Sequence, residues 1–443
     1  MKHSIRLSVL GILCALLSSV TVFGQNPGSF FHEYSPIPEA VTNNAVCAAK
    51  VGDTSFVYSF MGLDSSKIWS GIHLKSWRLN TRTDTWQALP PVPDPSGGLI
   101  AGAASTVKNK IYVIGGYHVA QNGSEVSSNR VHRFDPETNS WLSGGVNIPK
   151  AIDDHVQAVW RDSLIFVVTG WSNTTNVANV QIYNPTTDTW STGTPVPNNN
   201  DYKAFGASGV IKGDTLFYLG GASTGNNFPA TSVFRKGHIN PNDPTQISWS
   251  AETHPAAKGY RMAAAAMAGG IFWIGGSDVT YNYNGIAYNG SGGVPALSRM
   301  KTYFKKIGLS ESNDPGFLPN IMDLRGVAQT ELDYFITVGG MGPGQAVLSK
   351  VYGFSWAVAL PTTAPLIKLG IKVSPNPASE FILLESLQNA QFQLIAQNGA
   401  LLRTVNGTGS ARMDICDLPT GPYWLQVWSE GKLLGVEKIM IAR

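Results

Sequence analysis

Six short apolar runs, each closing on glycine, set the rhythm of this chain: S-F-V-Y-S-F-M-G to Gly62, I-Y-V-I-G-G to Gly116, I-F-V-V-T-G to Gly170, L-F-Y-L-G-G to Gly221, I-F-W-I-G-G to Gly276 and Y-F-I-T-V-G-G to Gly340. Runs this short and this rich in β-branched and aromatic residues predict buried strands, and the closing glycine lets the backbone turn away. A second phrase follows several of them. From Val177 to Pro197 the text predicts a strand ending at Tyr183, a turn through Asn184 and Pro185, and an outer strand opening at Trp190 and closing at Pro195 and Pro197. The offsets survive while the words change: Asn80 stands to Trp86 as Asp135 to Trp141 and as Asn184 to Trp190.

The runs recur at roughly 50 to 65 residues, so the chain is expected to hold a series of like units. Each unit reads as a four-stranded antiparallel sheet whose faces cannot be buried alone. Neighbours must therefore stack, and a ring of them leaves no long open edge. Tryptophan on an outer strand would fill the widening gap between sheets. On these features the stretch from Ser29 to Trp356 resembles the kelch-repeat family, which implies an all-β, six-bladed β-propeller. Phe31 to Pro38 matches the outer-strand phrase of Trp86 to Pro93, with Phe31 where Trp86 stands. The last unit, ending at Trp356, lacks a clear outer strand of its own. Phe31 to Pro38 is therefore expected to complete it and close the ring.

The fifth unit departs from the pattern. Between Gly276 and K-T-Y-F-K-K-I lies an insertion rich in Tyr, Asn and Gly, V-T-Y-N-Y-N-G-I-A-Y-N-G-S-G-G, and no outer-strand tryptophan follows. Such a loop is either a functional addition to a scaffold that does not need it or a decayed blade.

The two ends carry a different kind of information. Residues 1–24, with Lys2 and Arg6 before an apolar run from Leu7 to Val20 and then Val22-Phe23-Gly24, read as a signal peptide. The run is short for a membrane span, and no integral span is expected after its removal. The propeller would occupy residues 25–356, a proline-containing linker 357–370, and a small C-terminal β-sandwich 371–443. In that last part, Val373-Ser374-Pro375-Asn376-Pro377, the strand E-F-I-L-L-E, Asp417-Leu418-Pro419-Thr420-Gly421-Pro422-Tyr423 and a basic, apolar tail ending at Arg443 resemble the type A C-terminal sorting domain of the type IX secretion system of Bacteroidetes-like bacteria. The resemblance implies that machinery as a partner, transport across the outer membrane, frequent removal of the domain, and a product secreted or fixed to the cell surface.

Composition narrows the partners. Charged residues make up 14% of the chain, against about 25% in soluble domains generally. A net charge of +3 gives no electrostatic case for nucleic acid or an anionic membrane. Beyond the signal peptide only Cys47 and Cys416 remain, in different domains, so no disulfide framework is expected.

In a propeller, the loops entering the first strand of each blade and those leaving the second share one face. Counting back the same distance from each closing glycine places His155, Arg261 and Arg325 at the mouths of three blades, with Lys203 close to that position in another. Asp153, Asp154, Tyr202 and Tyr260 lie beside them. The loops leaving the second strand add Tyr117, His118, Trp171, Tyr281, Tyr283 and Tyr288. A funnel of such groups suits an anionic or polyhydroxylated ligand, with aromatic rings as platforms for sugars. Equally, a basic residue at this position satisfies buried loop carbonyls, and Trp171 covers the top of its blade.

No H-E-x-x-H helix or phosphate loop occurs, and His118, His132 and His155 lack metal-ligand spacing, so no cofactor or metal is expected. Two enzyme families on kelch propellers bear comparison. Copper-radical sugar oxidases use a tyrosine cross-linked to cysteine with histidine and tyrosine ligands, for which Tyr117, His118 and Cys47 would be the material here. Sialic acid mutarotases use polar axial residues on a carboxylated sugar, a role Arg261 and Arg325 would suit. The expected function is a secreted or cell-surface binding module, taking a carbohydrate, a glycoconjugate or a protein partner through the loop face. A sugar-acting enzyme is the alternative.

Overall fold

The computed structural model describes residues 29–313, 318–331, 333–356, 371–396, 401–429 and 432–442. The expected signal peptide and linker lie outside them. Six four-stranded antiparallel sheets are formed between residues 29 and 356. Their inner strands are Ala45–Val51, Ala103–Val107, Val156–Trp160, Ser208–Lys212, Ala263–Ala266 and Ala328–Glu331, in blades 1 to 6. The glycine-closed runs form the second strands, such as Lys110–Ile114 and Leu164–Val168.

Each apolar face is buried against the next sheet. Tyr58 and Phe60 of blade 1 share a core with Val113 and Phe134 of blade 2, and Ile114 shares one with Ile165 and Tyr183 of blade 3. Val156 and Phe166 pack with Leu216 and Tyr218 of blade 4, and Phe234 with Ile271 and Trp273 of blade 5. Phe272 and Met300 meet Phe335 and Phe354 of blade 6. The series returns to its start when Ile336 and Val351 pack on Val57 and Leu79 of blade 1. No blade buries its own faces, so the ring is the folding unit.

Closure uses the strand from the other end. Ser29–Tyr34 pairs antiparallel with Val351–Trp356, with Phe31 opposite Phe354. The strand stops at Tyr34, short of the expected Pro38, because Pro36 and Pro38 lack the N–H that a ladder needs. The Tyr34 and Tyr334 hydroxyls meet at 2.9 Å across the closed blade. The seam is fastened again from blade 1: the Asp84 carboxylate accepts from Ser35 N at 2.9 Å, and Trp86 Nε1 donates to Ser35 O at 2.8 Å.

That tryptophan contact recurs around the ring. Trp141 Nε1 donates to Pro90 O at 2.9 Å, Trp190 to Val146 O at 2.7 Å and Trp249 to Thr194 O at 3.0 Å. Each indole thus fills an inter-blade gap and ties its outer strand to the end of the preceding one. Blade 5 lacks the tryptophan and still forms an outer strand, Gly308–Asn313.

The C-terminal part is a five-stranded sheet. The long strand Phe381–Ile395 pairs with Leu401–Asp414 along one edge, with Lys372–Ser374 at the start of the other and with Gly421–Ser429 at its end. A parallel bridge from Ala378 to Ile441 folds the sheet over a core that includes Ile382, Phe392, Met413, Leu425 and Ile439. This gives the sandwich-like body expected from the sequence.

Candidate functional site

One residue per blade, just before or near the inner strand, adopts the left-handed conformation: Asn43 (φ 56°), Ala101 (58°), Asp154 (45°), Gly206 (63°), Arg261 (49°) and Asp323 (62°). The reason is a hydrogen-bonded ring around the axis. Asp154 N donates to Ala101 O at 3.0 Å, Gly206 N to Asp154 O at 2.8 Å and Arg261 N to Gly206 O at 2.8 Å. Leu324 N donates to Arg261 O at 3.1 Å, Asn43 N to Asp323 O at 3.3 Å, and Ala101 N completes the circuit on Asn43 Oδ1 at 2.9 Å. Turning each backbone amide toward the neighbouring blade requires the positive φ, which asparagine, aspartate and glycine tolerate best.

The side chains of this ring form a buried ion cluster. Arg261 Nη2 lies 2.6 Å from Asp154 Oδ2 and its Nη1 3.0 Å from Asp323 Oδ1. Arg325 Nη1 is 3.3 Å from Asp154 Oδ1, and its Nη2 donates to the carbonyls of Ala101 and His155 at 3.3 and 3.1 Å. Burial opposes the charge on Arg261, but the carboxylates of Asp154 and Asp323 outweigh it and hold the guanidinium protonated. Burial pushes the Asp323 carboxyl above its ordinary range, with Arg261 acting the other way. Asp153 is pushed up further, first by burial and then by the charge of Asp154, and accepts from Ser127 Oγ at 2.5 Å.

Above the ring lies an aromatic and aliphatic layer. The residue before each left-handed position bridges the residue after each closing glycine: Thr42 to Leu63, Ile100 to Tyr117, Asp153 to Trp171, Phe205 to Ala222, Tyr260 to Ser277 and Met322 to Met341. Most of these side chains pack into one cluster over the axis, which the blade 5 insertion completes with Tyr281, Ala287, Val294 and Ala296. Arg261 is sandwiched beneath it, 5.2 Å from the Tyr260 ring and 5.5 Å from that of Tyr281.

The expectation of an open funnel is therefore corrected. Asp154, Arg261 and Arg325 do converge, but they are buried and paired with one another, with Asp323 and with loop carbonyls. Tyr117 and Tyr281 are likewise buried in the capping layer. Trp171 is half-buried, edge-on to Phe205 and Phe228 at 5.4 Å each, while Tyr283 is half-buried at the rim of the same cluster. His155 falls one position off the ring and lines the axial channel instead, because the inner hairpin of blade 3 is one residue longer than that of blade 5. Its Nε2 contacts Gln157 Oε1 at 3.1 Å, and burial, followed by the charge of Arg325, lowers its pKa to about 3. Lys203 and Tyr202 stand apart from the axis, half-buried beside the cleft between blades 3 and 4.

Below the ring the inner strands enclose an axial cavity of about 360 Å³, lined mainly by small residues with Ser105, Gln157, His155 and Arg325 among the polar ones. The copper-oxidase set does not assemble. Cys47 sits in the core between blades 1 and 2, cross-strand from Tyr58, with its thiol pushed up to about 12 by burial. His118 bonds Gly98 O at 2.8 Å and lies 3.8 Å from Asp94, whereas Tyr117 belongs to the capping layer.

Over the sealed axis the loops are fastened to one another. Ser127 N donates to Asn173 Oδ1 at 3.0 Å between blades 2 and 3, Thr280 Oγ1 to Phe228 O at 2.7 Å between blades 5 and 4, and Lys67 Nζ to Gln345 O at 3.0 Å between blades 1 and 6. Gln345 Nε2 in turn donates to Val294 O of the blade 5 insertion at 2.7 Å. On this braced face Ile68 and Trp69 of blade 1, Val126 of blade 2 and Ile286 of blade 5 stand 51, 40, 56 and 43% exposed. Neither Ile68, Trp69 nor Val126 was singled out from sequence, since no repeat marks them. The insertion that carries Ile286 was.

A propeller of six such blades defines a repeat protein that presents loops on a rigid ring. The family model described as the KLHDC2/KLHL20/DRC7 Kelch-repeats domain matches residues 45–276, just over half the chain. The protein belongs to the kelch-repeat family. A second model, the secretion system C-terminal sorting domain, matches residues 372–442 and implies export by the type IX machinery, hence secretion or a cell-surface location. Among curated proteins the chain is similar to Kelch-like protein 36 of Bos taurus, 22% identical over 200 residues, 45% of this chain and 30% of that one. It is also similar to a putative F-box/kelch-repeat protein of Arabidopsis thaliana, 35% identical over 111 residues, 23% of this chain and 31% of the relative. The matches thus span less than a third of these relatives. Among solved structures, that titled "Structure of YjhT" aligns with a TM-score of 0.54 and 16% identity over 72% of this chain and 95% of that one, a likeness of fold alone.

Proposed function

We propose that this protein is an exported binding module, acting at the cell surface or outside it, whose loop face docks a protein partner. The observation that carries this reading is the set of exposed apolar side chains, Ile68, Trp69, Val126 and Ile286, on loops braced blade to blade. Exposed aliphatic groups give nothing to sugar hydroxyls but suit a protein surface, and a rigid platform loses little entropy on binding. The buried, internally paired axial residues argue against a small ligand held in a loop-face funnel. The signal peptide at residues 1–24 and the sorting domain would carry the module out of the cell.

The test is capture from the extracellular and envelope fractions of the producing bacterium by intact wild-type chain and by a Trp69→Asp/Ile286→Asp variant. A partner retained by the first and lost by the second supports the reading. Identical capture by both, with the variant folded, overturns it.

A further inference from the structure

The outer rim between blades 3 and 4 opens into a cleft of about 930 Å³, within the size range of small-molecule sites. Val177 and Ile247 give it an apolar floor, and the half-buried Trp249 ring, with its Nε1 already satisfied by Thr194 O, gives it a flat wall. Lys150, from the loop between blades 2 and 3, and Lys203, from the loop leading into blade 4, both border it. Among the described residues neither ammonium has an ion-pair or hydrogen-bond partner; Lys203 is half-buried and Lys150 exposed, whereas the buried cations Arg261, Arg299 and Lys301 are each paired with a carboxylate.

A third feature lies deeper. Asn176 also lines the cleft and is only 1% exposed. Its Nδ2 donates to Ala222 O at 3.0 Å, which leaves Oδ1 buried with no donor. A buried acceptor of this kind is normally matched by a donor, and a ligand hydroxyl would supply one. The two unpaired cations and the unmatched acceptor serve neither folding nor the loop-face reading, and the Trp249 ring, which also ties its outer strand to Thr194, stands beside them.

We propose that this cleft binds an acidic saccharide. The ammonium groups of Lys150 and Lys203 pair with its carboxylate or sulfate groups, Asn176 Oδ1 accepts from a ring hydroxyl, and Trp249 packs along the apolar side of the sugar. The site is separate from the exposed apolar face and does not depend on what docks there.

The experiment is calorimetric titration of the intact chain, at low and high ionic strength, with oligogalacturonate, a heparin-derived oligosaccharide, a neutral cello-oligosaccharide and polyglutamate. Binding of at least one acidic saccharide is expected, weakened by salt, with neither control bound comparably. Which of the two binds distinguishes carboxylate from sulfate. Lys150→Gln/Lys203→Gln should lower that affinity about tenfold or more, while Trp69→Asp/Ile286→Asp should leave it unchanged. Both lysines are unpaired and outside the core, so thermal unfolding of the variant should match wild type. No binding by either acidic saccharide, equal binding by a control, or affinity undiminished in the folded double variant would each overturn the proposal.

Discussion

Arg261 grips Asp154, 107 residues earlier in the chain, through two bonds: Nη2 to Oδ2 at 2.6 Å and Nε to Oδ1 at 3.2 Å. The pair joins blade 5 to blade 3 across the axis, and Asp323 joins blade 6 to the same guanidinium. It is a fastening of the ring rather than a free binding group.

Arg261→Ala should therefore act on stability first. Removing one partner leaves two carboxylates buried, an effect of roughly 3–5 kcal/mol in comparable sites. Deleting Lys75, whose partner Glu39 is about as exposed as itself, should cost about 0–1 kcal/mol. Urea denaturation of the two variants beside wild type checks the contrast, and a small loss for Arg261→Ala would mean the cluster is not what holds the axis shut.

His155 predicts a pH effect of definite sign. Its folded-state pKa is lowered from 6.5 to about 3, so below pH 6.5 the unfolded chain takes up a proton that the folded chain refuses until about pH 3. Its contribution is present above pH 6.5 and is lost as pH falls through that interval. In His155→Gln this loss disappears, so the stability of the variant relative to wild type should rise steadily from pH 7 to pH 4. Unfolding curves across that range would show it, and parallel pH dependences would contradict the burial of a neutral imidazole.

The tryptophan contacts predict two tiers of effect. Trp190→Phe keeps a ring in the gap and loses the bond to Val146 O, a change of about 1 kcal/mol. Removing residues 29–34 instead strips the sixth blade of its outer strand and exposes the edge at Val351–Trp356. Self-association or loss of a single cooperative unfolding transition is expected. Light scattering and calorimetry distinguish the two, and a monomeric, fully cooperative truncated chain would show that closure does not need this strand.

Much of this architecture could be read from the chain because it is written once per blade. The glycine-closed runs mark the second strands, and the outer-strand phrase at Phe31, out of place where it stands, points to the closure. Counting back from the closing glycines reaches the axial positions only while inner hairpins keep one length. One extra residue in blade 3 therefore exchanged His155 for Asp154. Asp323 escaped because four residues lie between it and the strand at Ala328, against one between Arg261 and Ala263. Burial of the mouth was not legible at all. The capping layer draws residues from every blade, the largest share from blade 5, so no local window of sequence contains its pattern, and only the assembled ring shows that Arg261 faces tyrosines rather than water.

The docking face is tested most directly by photo-crosslinking. An unnatural photoreactive side chain would be placed in turn at Trp69, Val126 and Ile286, and at Ile307, a 66% exposed residue in the turn between the third and outer strands of blade 5 at the opposite end of the ring. Irradiation with the extracellular and envelope fractions should give a common adduct from the first three positions and none from Ile307. Adducts from Ile307 alone, or equally from all four, would contradict a partner seated on the loop face.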